Sequence, residues 1–487
     1  MSDEKTAADA DEKTRGLLRA ALARGRAGAA PRLMREHCLA PERRPGGIVV
    51  QRLMLAPEAH EGDEHAVPVV LVHSDDARGD GARPLICFMH GTGGDSEGLL
   101  ETHLVPFAKR GYCALGVDAP CHGRRLDPAP EAKIPPPEAK SPSSSRTPDD
   151  ADGLAASLRA PSGHVSLSRS RSETFERYGA ALVAAWRGGS EPPERSAAER
   201  SAADSSPIRH SGHSGSARPF LFDGAWDCLR AVRFATGLSN RDGRTTVGDP
   251  KGPDAALPTR AASGNEPPLD LVDVNVDATR VGVSGVSLGG MYAWLAAAAA
   301  PETIAAAAPL IGAQDFGWAL RNERWRARVD SLPPALFRAA ERDERETRGN
   351  GDERTSPREV SPELVERVYD AICPGLTTFL DGPRTFPLVA PRPMLIVNGE
   401  LDPRNPLEGV RGLVAATRRA YESKKKTKNF VAVAQRGVAH ACTPQMLALA
   451  DAWLDWRLRP EAAFCDGNRA EAAVAEALRD AETWLEL

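Results

Sequence analysis

Residues 281–290, VGVSGVSLGG, place one serine, Ser287, between glycines where a β-branched run gives way to a helix-forming one. RVGVSG has the composition of a buried strand and LGGMYAWLAA that of a helix start. Gly285-Val286-Ser287-Leu288-Gly289 is therefore a G-x-S-x-G segment in a strand–turn–helix context, where a tight turn holds the serine hydroxyl out as a nucleophile. Gly285 and Gly289 have a steric purpose, because backbone crowds a turn this sharp too closely for side chains two residues either side of the serine. The motif also arises by chance, so its meaning depends on the rest of the chain.

Strands and helices alternate on both sides of it. Upstream, GGIVVQRLML, AVPVVLVHS, RPLICFMH and GYCALGVDAP read as four strands, and SEGLLETHLVPFAKRG as a helix joining the last two in βαβ fashion. ETFERYGAALVAAWR and FDGAWDCLRAVRFAT carry helical periodicity. Downstream, TIAAAAPLIGA, PMLIVNGE and NFVAVAQ are strands separated by helical segments, with a last helix after His440. This alternation predicts an α/β fold around a mostly parallel sheet, whose reactive groups collect on loops at the strands' carboxyl ends.

A serine nucleophile needs a base and an acid to orient that base, in the order Ser, Asp or Glu, His for this topology. Of the 11 histidines only His440 follows Ser287, and it falls in the loop between NFVAVAQ and the last helix. The strand PMLIVNGE runs into a turn with two carboxylates. Asp402 is preferred because the turn before Pro403 can aim it back at the histidine, and Glu400 is the reserve. An oxyanion needs preorganised backbone donors. The amide of Leu288, at the helix start, is one candidate. The second is the amide of Thr92, in the loop His90-Gly91-Thr92-Gly93-Gly94 after the third strand. That loop lacks the lysine and spacing of a phosphate-binding P-loop.

HGTGG, DAPCHGRR (118–125), GVSLGG and the Asp402 to His440 pair, in that order and at strand ends, resemble the α/β-hydrolase superfamily, particularly its dienelactone-hydrolase-like, acetyl-xylan-esterase-like and prolyl-oligopeptidase-like branches. The resemblance covers roughly residues 45–125, 173–190 and 218–458. It implies an eight-stranded, mostly parallel sheet with helices on both faces and a serine hydrolase with no metal or organic cofactor. Dienelactone hydrolases proper use a cysteine nucleophile, so Ser287 disfavours that chemistry. Cys121 and His122, at a strand end, are read as structural or substrate-lining rather than metal ligands.

The 487 residues, with 40 prolines, 43 glycines and 5% aromatics, suggest one core with polar insertions rather than several domains. The hydrolase domain is expected over 46–458, with disordered insertions at about 126–172, 189–217 and 240–268 and a helical cap at 313–385. An N-terminal extension (1–45) and a C-terminal helical extension (459–487) flank it. A net charge of −5 gives no global field for nucleic acid or an anionic membrane, and no apolar run spans a bilayer. The eight cysteines, without CxxC or metal-ligand spacing, read as free thiols of a reducing compartment. Residues 14–44 are rich in Arg and Ala, as transit peptides are, but acidic residues precede them, so a cytoplasmic location is expected over organelle import. Nothing in the sequence sets an oligomeric state.

The expected activity is hydrolysis of a carboxylic ester, with thioester or amide as related substrates, on a small molecule. Three other readings stand beside it: an acyltransferase with the same residues, a non-catalytic ligand-binding protein on the same fold, and a function carried by the SRSRS-containing insertion with the rest as scaffold.

Overall fold

The apolar runs become strands, and the computed structural model describes residues 2–24, 26, 31–58, 61–75, 81–126, 169–190, 218–237, 274–347, 360–459 and 466–487. The expected polar insertions lie, apart from their margins, outside the described residues. In chain order the elements are α1 (Ser2–Ala23), β1 (Glu42–Arg44), β2 (Ile48–Leu55), β3 (Val67–Ser74), β4 (Arg83–Met89), α2 (Val105–Lys109), β5 (Cys113–Val117), α3 (Arg171–Ser190) and α4 (Phe222–Gly237). There follow β6 (Val276–Val286), α5 (Leu288–Ala299), β7 (Ala306–Leu310), α6 (Phe316–Arg321), α7 (Arg326–Val329), α8 (Pro334–Thr347), α9 (Pro362–Ile372) and α10 (Gly382–Thr385). The chain ends with β8 (Met394–Gly399), α11 (Leu407–Ser423), β9 (Phe430–Gln435), α12 (Pro444–Leu458), α13 (Gly467–Arg479) and β10 (Trp484–Glu486).

The strands form one sheet in the order β1-β2-β3-β5-β4-β6-β7-β8-β9-β10. From β5 to β9 every pairing is parallel, while β3 runs antiparallel to both β2 and β5. The eight central strands are those read from the sequence. β1 and β10 add short antiparallel edges, so among the described residues the sheet has ten strands rather than the expected eight. Three residues are too few to show an alternating pattern, and β10 makes the C-terminal extension a helix followed by a strand rather than helical throughout.

Both sheet faces are covered, which is why the parallel strands are apolar at nearly every position. Along β4, Leu85, Cys87 and Met89 face a core built with α1, α3, α4, α5, α8 and α9, while Ile86 and Phe88 face one built with α2, α12 and α13. α5 is buried on all sides and carries no charge. Its C-terminal carbonyls are met by imported cations: Arg15 Nε donates to Ala298 O (3.3 Å), Arg19 Nε to Ala299 O (2.7 Å) and Arg392 Nη2 to Ala297 O (2.6 Å). These charges complement the helix dipole and leave its positive end at Ser287.

Between β7 and β8, where one helix would suffice, the described residues fold into five, α6 to α10, across most of the segment expected as a cap. α8 and α9 pack against α3. Phe316, Trp325, Leu336, Phe337 and Tyr369 from this segment join the larger core.

Candidate active site

The loops after β4, β6, β8 and β9, four neighbouring parallel strands with β7 between them, meet at one edge of the sheet. This is the edge where strand carboxyl ends collect ligand-facing groups. Ser287 joins β6 to α5 with φ 56° and ψ −110°, a left-handed conformation that costs a non-glycine residue about 1–3 kcal/mol. Its amide donates to Leu310 O (2.9 Å) and its carbonyl accepts from Met291 N (2.9 Å), fixing the turn between β7 and the first helical turn. A serine at a helix start ordinarily caps the helix with its hydroxyl, but Ser287 makes no such bond.

The glycines around it are dictated by backbone. A Cβ on Gly285 would lie 2.6 Å from Gly289 C and from Met89 O, and one on Gly289 would overlap the carbonyl of Met89. The helix start is thus pressed against the end of β4, so the two flanking glycines share one cause. A strained serine on a strand–helix turn, at the centre of a sheet whose eight central strands have the second one reversed, decides the architecture. The chain has the α/β-hydrolase fold.

Within this α/β-hydrolase framework, Ser287 Oγ lies 2.8 Å from His440 Nε2, and His440 Nδ1 lies 2.7 Å from Asp402 Oδ2. The three residues come from three loops, and each is held by local backbone. Gly399, which ends β8, lets the carbonyls of Val438 and Ala439 pass against it, and Leu401 N donates to Val438 O (2.9 Å), so the loops carrying Asp402 and His440 are tied together. Asp402 Oδ1 accepts from the amides of Arg404 (2.8 Å) and Asn405 (3.2 Å), an Asx turn, and its Oδ2 also accepts from Asn405 Nδ2 (2.8 Å). Glu400, the reserve acid, turns away: its Oε2 accepts from Gly437 N (2.8 Å) and braces the histidine loop from below.

The Asp402 side chain has no exposed surface and that of His440 is 10% exposed. Burial alone would raise the Asp402 pKa. The hydrogen bond and charge of His440, the Arg328 cation and the Arg404 amide outweigh it and hold the carboxyl below the ordinary aspartate value. For His440 burial is the larger effect and lowers its pKa against the opposing pull of Asp402, with Arg328 and Arg404 adding to the lowering. The imidazole is therefore neutral at pH 7 and its Nε2 can accept a proton from the serine.

Leu288 opens α5, so its amide belongs to the first turn that lacks intrahelical acceptors. The HGTGG loop folds over the elbow with Gly91 nearest: a Cβ there would lie 3.8 Å from Ser287 Cβ and 3.3 Å from Val286 O. Gly94 N donates to Gly91 O (3.0 Å), which puts Thr92 at the tip of a tight turn. His90 locks this loop to the next one, its Nδ1 bonded to Gly91 O (2.8 Å) and its Nε2 accepting from Ala119 N (2.9 Å). In DAPCHGRR, Asp118 accepts from Ser96 N (2.7 Å) and Arg124 N (2.8 Å), and Arg125 forms a buried ion pair with Asp227 of α4. His122 is fully buried, with Nδ1 on Pro120 O (2.7 Å), and burial pushes its pKa down to about 3.

Three neighbours of the site were not anticipated. Asn405 binds Asp402 Oδ2 and also donates to Ile311 O (2.7 Å) at the end of β7. Its own Oδ1 accepts from Arg328 of α7 (2.6 Å), and Tyr178 of α3 stacks its ring edge-on to His122 at 5.3 Å. Asp402-Pro403-Arg404-Asn405 signals an Asx turn and could have flagged Asn405. Arg328 and Tyr178 are distant in sequence and give no such signal. Among the described residues no group of three His, Cys, Asp or Glu side chains could hold a metal ion, and no helix is long and apolar enough to cross a membrane.

No family model and no curated protein matches the chain. Solved structures similar to it include acetyl xylan esterase 1 from Thermoanaerobacterium sp. JW/SL YS485, at 12% identity over 93% of this chain and 94% of that one, TM-score 0.44. An acetyl xylan esterase from Paenibacillus sp. R4 matches at 13% identity over 92% and 94%, TM-score 0.43. The glucuronoyl esterase from Solibacter usitatus matches at 11% over 87% and 86%, TM-score 0.41.

Proposed function

We propose that the protein is a serine hydrolase that cleaves carboxylic esters of small molecules through an acyl-enzyme on Ser287. The observation that carries this reading is the unbroken hydrogen-bond path Ser287 Oγ, His440 Nε2, His440 Nδ1, Asp402 Oδ2, at 2.8 and 2.7 Å, starting from a serine in a strained backbone conformation. Ser287 attacks the ester carbonyl while His440 takes its proton. The amides of Leu288 and Thr92 stabilise the oxyanion, and the protonated His440 gives its proton to the leaving alkoxide. Water activated by the same imidazole then releases the acid. Asp402 fixes the tautomer and favours the imidazolium. The helices between β7 and β8, with α3, form the cap that sets specificity.

A fluorophosphonate probe should label Ser287, mapped by mass spectrometry, and His440→Ala should abolish the label. Folded protein that is unlabelled at Ser287, or labelled equally well without His440, would remove the assignment. The pH profile is a second check. Only neutral His440 is a base, and burial sets its pKa below the ordinary 6.5. So kcat/KM should be level near neutrality and fall only as pH drops through a midpoint below 6.5. A midpoint above 7 would contradict the electrostatics of this site.

A further inference from the structure

Phe175 lies on α3 but outside the core. It is partly exposed and joins neither of the two cores, whereas Tyr178, three residues on, is buried in the larger one. The Phe175 ring rests instead on the HGTGG loop: a Cβ on Gly93 would lie 3.1 Å from Phe175 Cε2 and 3.3 Å from Arg171 Cγ. Arg171 and Phe175, one helical turn apart, share a face of α3, with the guanidinium carbon 5.5 Å from the centre of the ring. Gly93 has φ 83°, so a side chain there is opposed both by the left-handed backbone and by the ring against it.

The loop needs such a support. Three of its five residues are glycines, which give up the most conformational freedom when ordered. Among the described residues its tip makes one backbone bond within itself, Gly94 N to Gly91 O (3.0 Å), and neither Thr92 N nor Gly93 N donates to an acceptor. His90 anchors only the stem, through Gly91 O and Ala119 N. Beyond the stem the loop is held at two points. At Gly91 it meets the elbow, where a Cβ would lie 3.8 Å from Ser287 Cβ, and at Gly93 it meets Phe175. Thr92 is the residue between them. α3 in turn is fixed without help from the loop. Ser170 Oγ accepts from Glu173 N (3.2 Å) at its start, Arg177 Nη2 donates to Leu126 O (3.0 Å), and Trp186 Nε1 donates to Asp343 Oδ2 of α8 (3.1 Å).

We propose that Phe175 is a positioning residue for the oxyanion donor: its ring seats Gly93 so that the amide of the preceding residue, Thr92, faces the oxyanion that forms on attack by Ser287. This inference rests on the serine-hydrolase reading of Ser287 and deepens it. An amide stabilises the oxyanion only from hydrogen-bond distance, and losing one such donor costs about 10²- to 10³-fold in kcat. Taking the ring away does not remove the Thr92 amide; it frees Gly93 and so displaces that amide. The loss falls on the transition state and not on ground-state binding. A helix outside the sheet thus completes the site that the strand ends begin.

The test follows hydrolysis of p-nitrophenyl acetate by the full chain, with fluorophosphonate labelling of the native protein in parallel. Phe175→Ala should lower kcat and kcat/KM alike, by about ten- to a hundredfold. The matching thionoester separates positioning from general damage. Its sulfur is a weaker acceptor on a longer bond and draws less from the amides, so the ester-to-thionoester ratio of kcat/KM should fall about tenfold in Phe175→Ala. A merely structural loss would lower both substrates equally. Phe175→Leu keeps apolar bulk against Gly93 and should lose about two- to fivefold, with the ratio moving the same way; it decides the matter where the alanine variant does not fold. Native Ser287 that labels normally, with kcat/KM unchanged in these variants or with an equal fall for ester and thionoester, would overturn the positioning role and leave the hydrolase reading standing. Absence of label from the native protein would overturn the hydrolase reading and this inference with it.

Discussion

Ser287→Ala is expected to lower kcat toward p-nitrophenyl acetate by about 10⁵- to 10⁶-fold, with His440→Ala close behind and the double variant no worse than either alone. The three side chains act as one unit: without the hydroxyl there is no acyl-enzyme, and without the imidazole the hydroxyl keeps its proton. Asp402→Asn should cost about 10⁴-fold, because an amide cannot hold the imidazole with its lone pair towards the serine. What remains would come from the amides near Leu288 and Thr92, which no side-chain substitution removes. Steady-state rates on purified variants decide the matter. A loss under a hundredfold for Ser287→Ala would mean that the nucleophile lies elsewhere.

Asp227→Ala should be the most damaging single change far from the reacting atoms, at about 3–5 kcal/mol of stability. Arg125 is 2% exposed and its guanidinium is shared between Asp227, Asp118 O (2.8 and 3.2 Å) and Ala66 O (3.0 Å). Removing the carboxylate strands that charge between α4 and the loop that carries His122. The cost is the burial of an uncompensated ion, far larger than that of a surface pair. Urea denaturation read by tryptophan fluorescence would measure it. Asp227→Asn, which keeps the shape and one acceptor, should cost less than the alanine. A change below 1 kcal/mol for Asp227→Ala would show that the Arg125 charge finds water or another partner.

The sheet and the elbow were legible because they obey short-range rules. IVVQRLML, VPVVLVHS and MLIVNG are apolar enough to be strands wherever they occur, and VSGVSLGG is a strand end meeting a helix start under steric constraint. His440 was legible by elimination, as the only histidine after the serine, and Asp402 by its place after a strand. The parts that escaped depend on where distant segments meet. Arg328 sits in a charged stretch that reads like any solvated helix, and only the fold brings it, 77 residues away in sequence, onto Asn405. Tyr178 lies on an amphipathic helix whose apolar face could have packed anywhere. β1 and β10 exist because a neighbouring edge was open to pair with them, not because three residues favour a strand.

The arginines that cap α5 have a consequence for how the chain is made. Arg15 and Arg19 lie 283 and 280 residues before the carbonyls they serve. At about 5–20 residues per second, α1 leaves the ribosome some 15 to 60 s before its seat exists. Until α4 and α5 emerge, Leu18, Ala21 and Leu22, buried in the finished protein, lack the cover those helices give α1. The helix that follows the serine is thus finished at its far end by residues synthesised well before it, and the nascent chain carries an apolar stripe until its partner helices emerge.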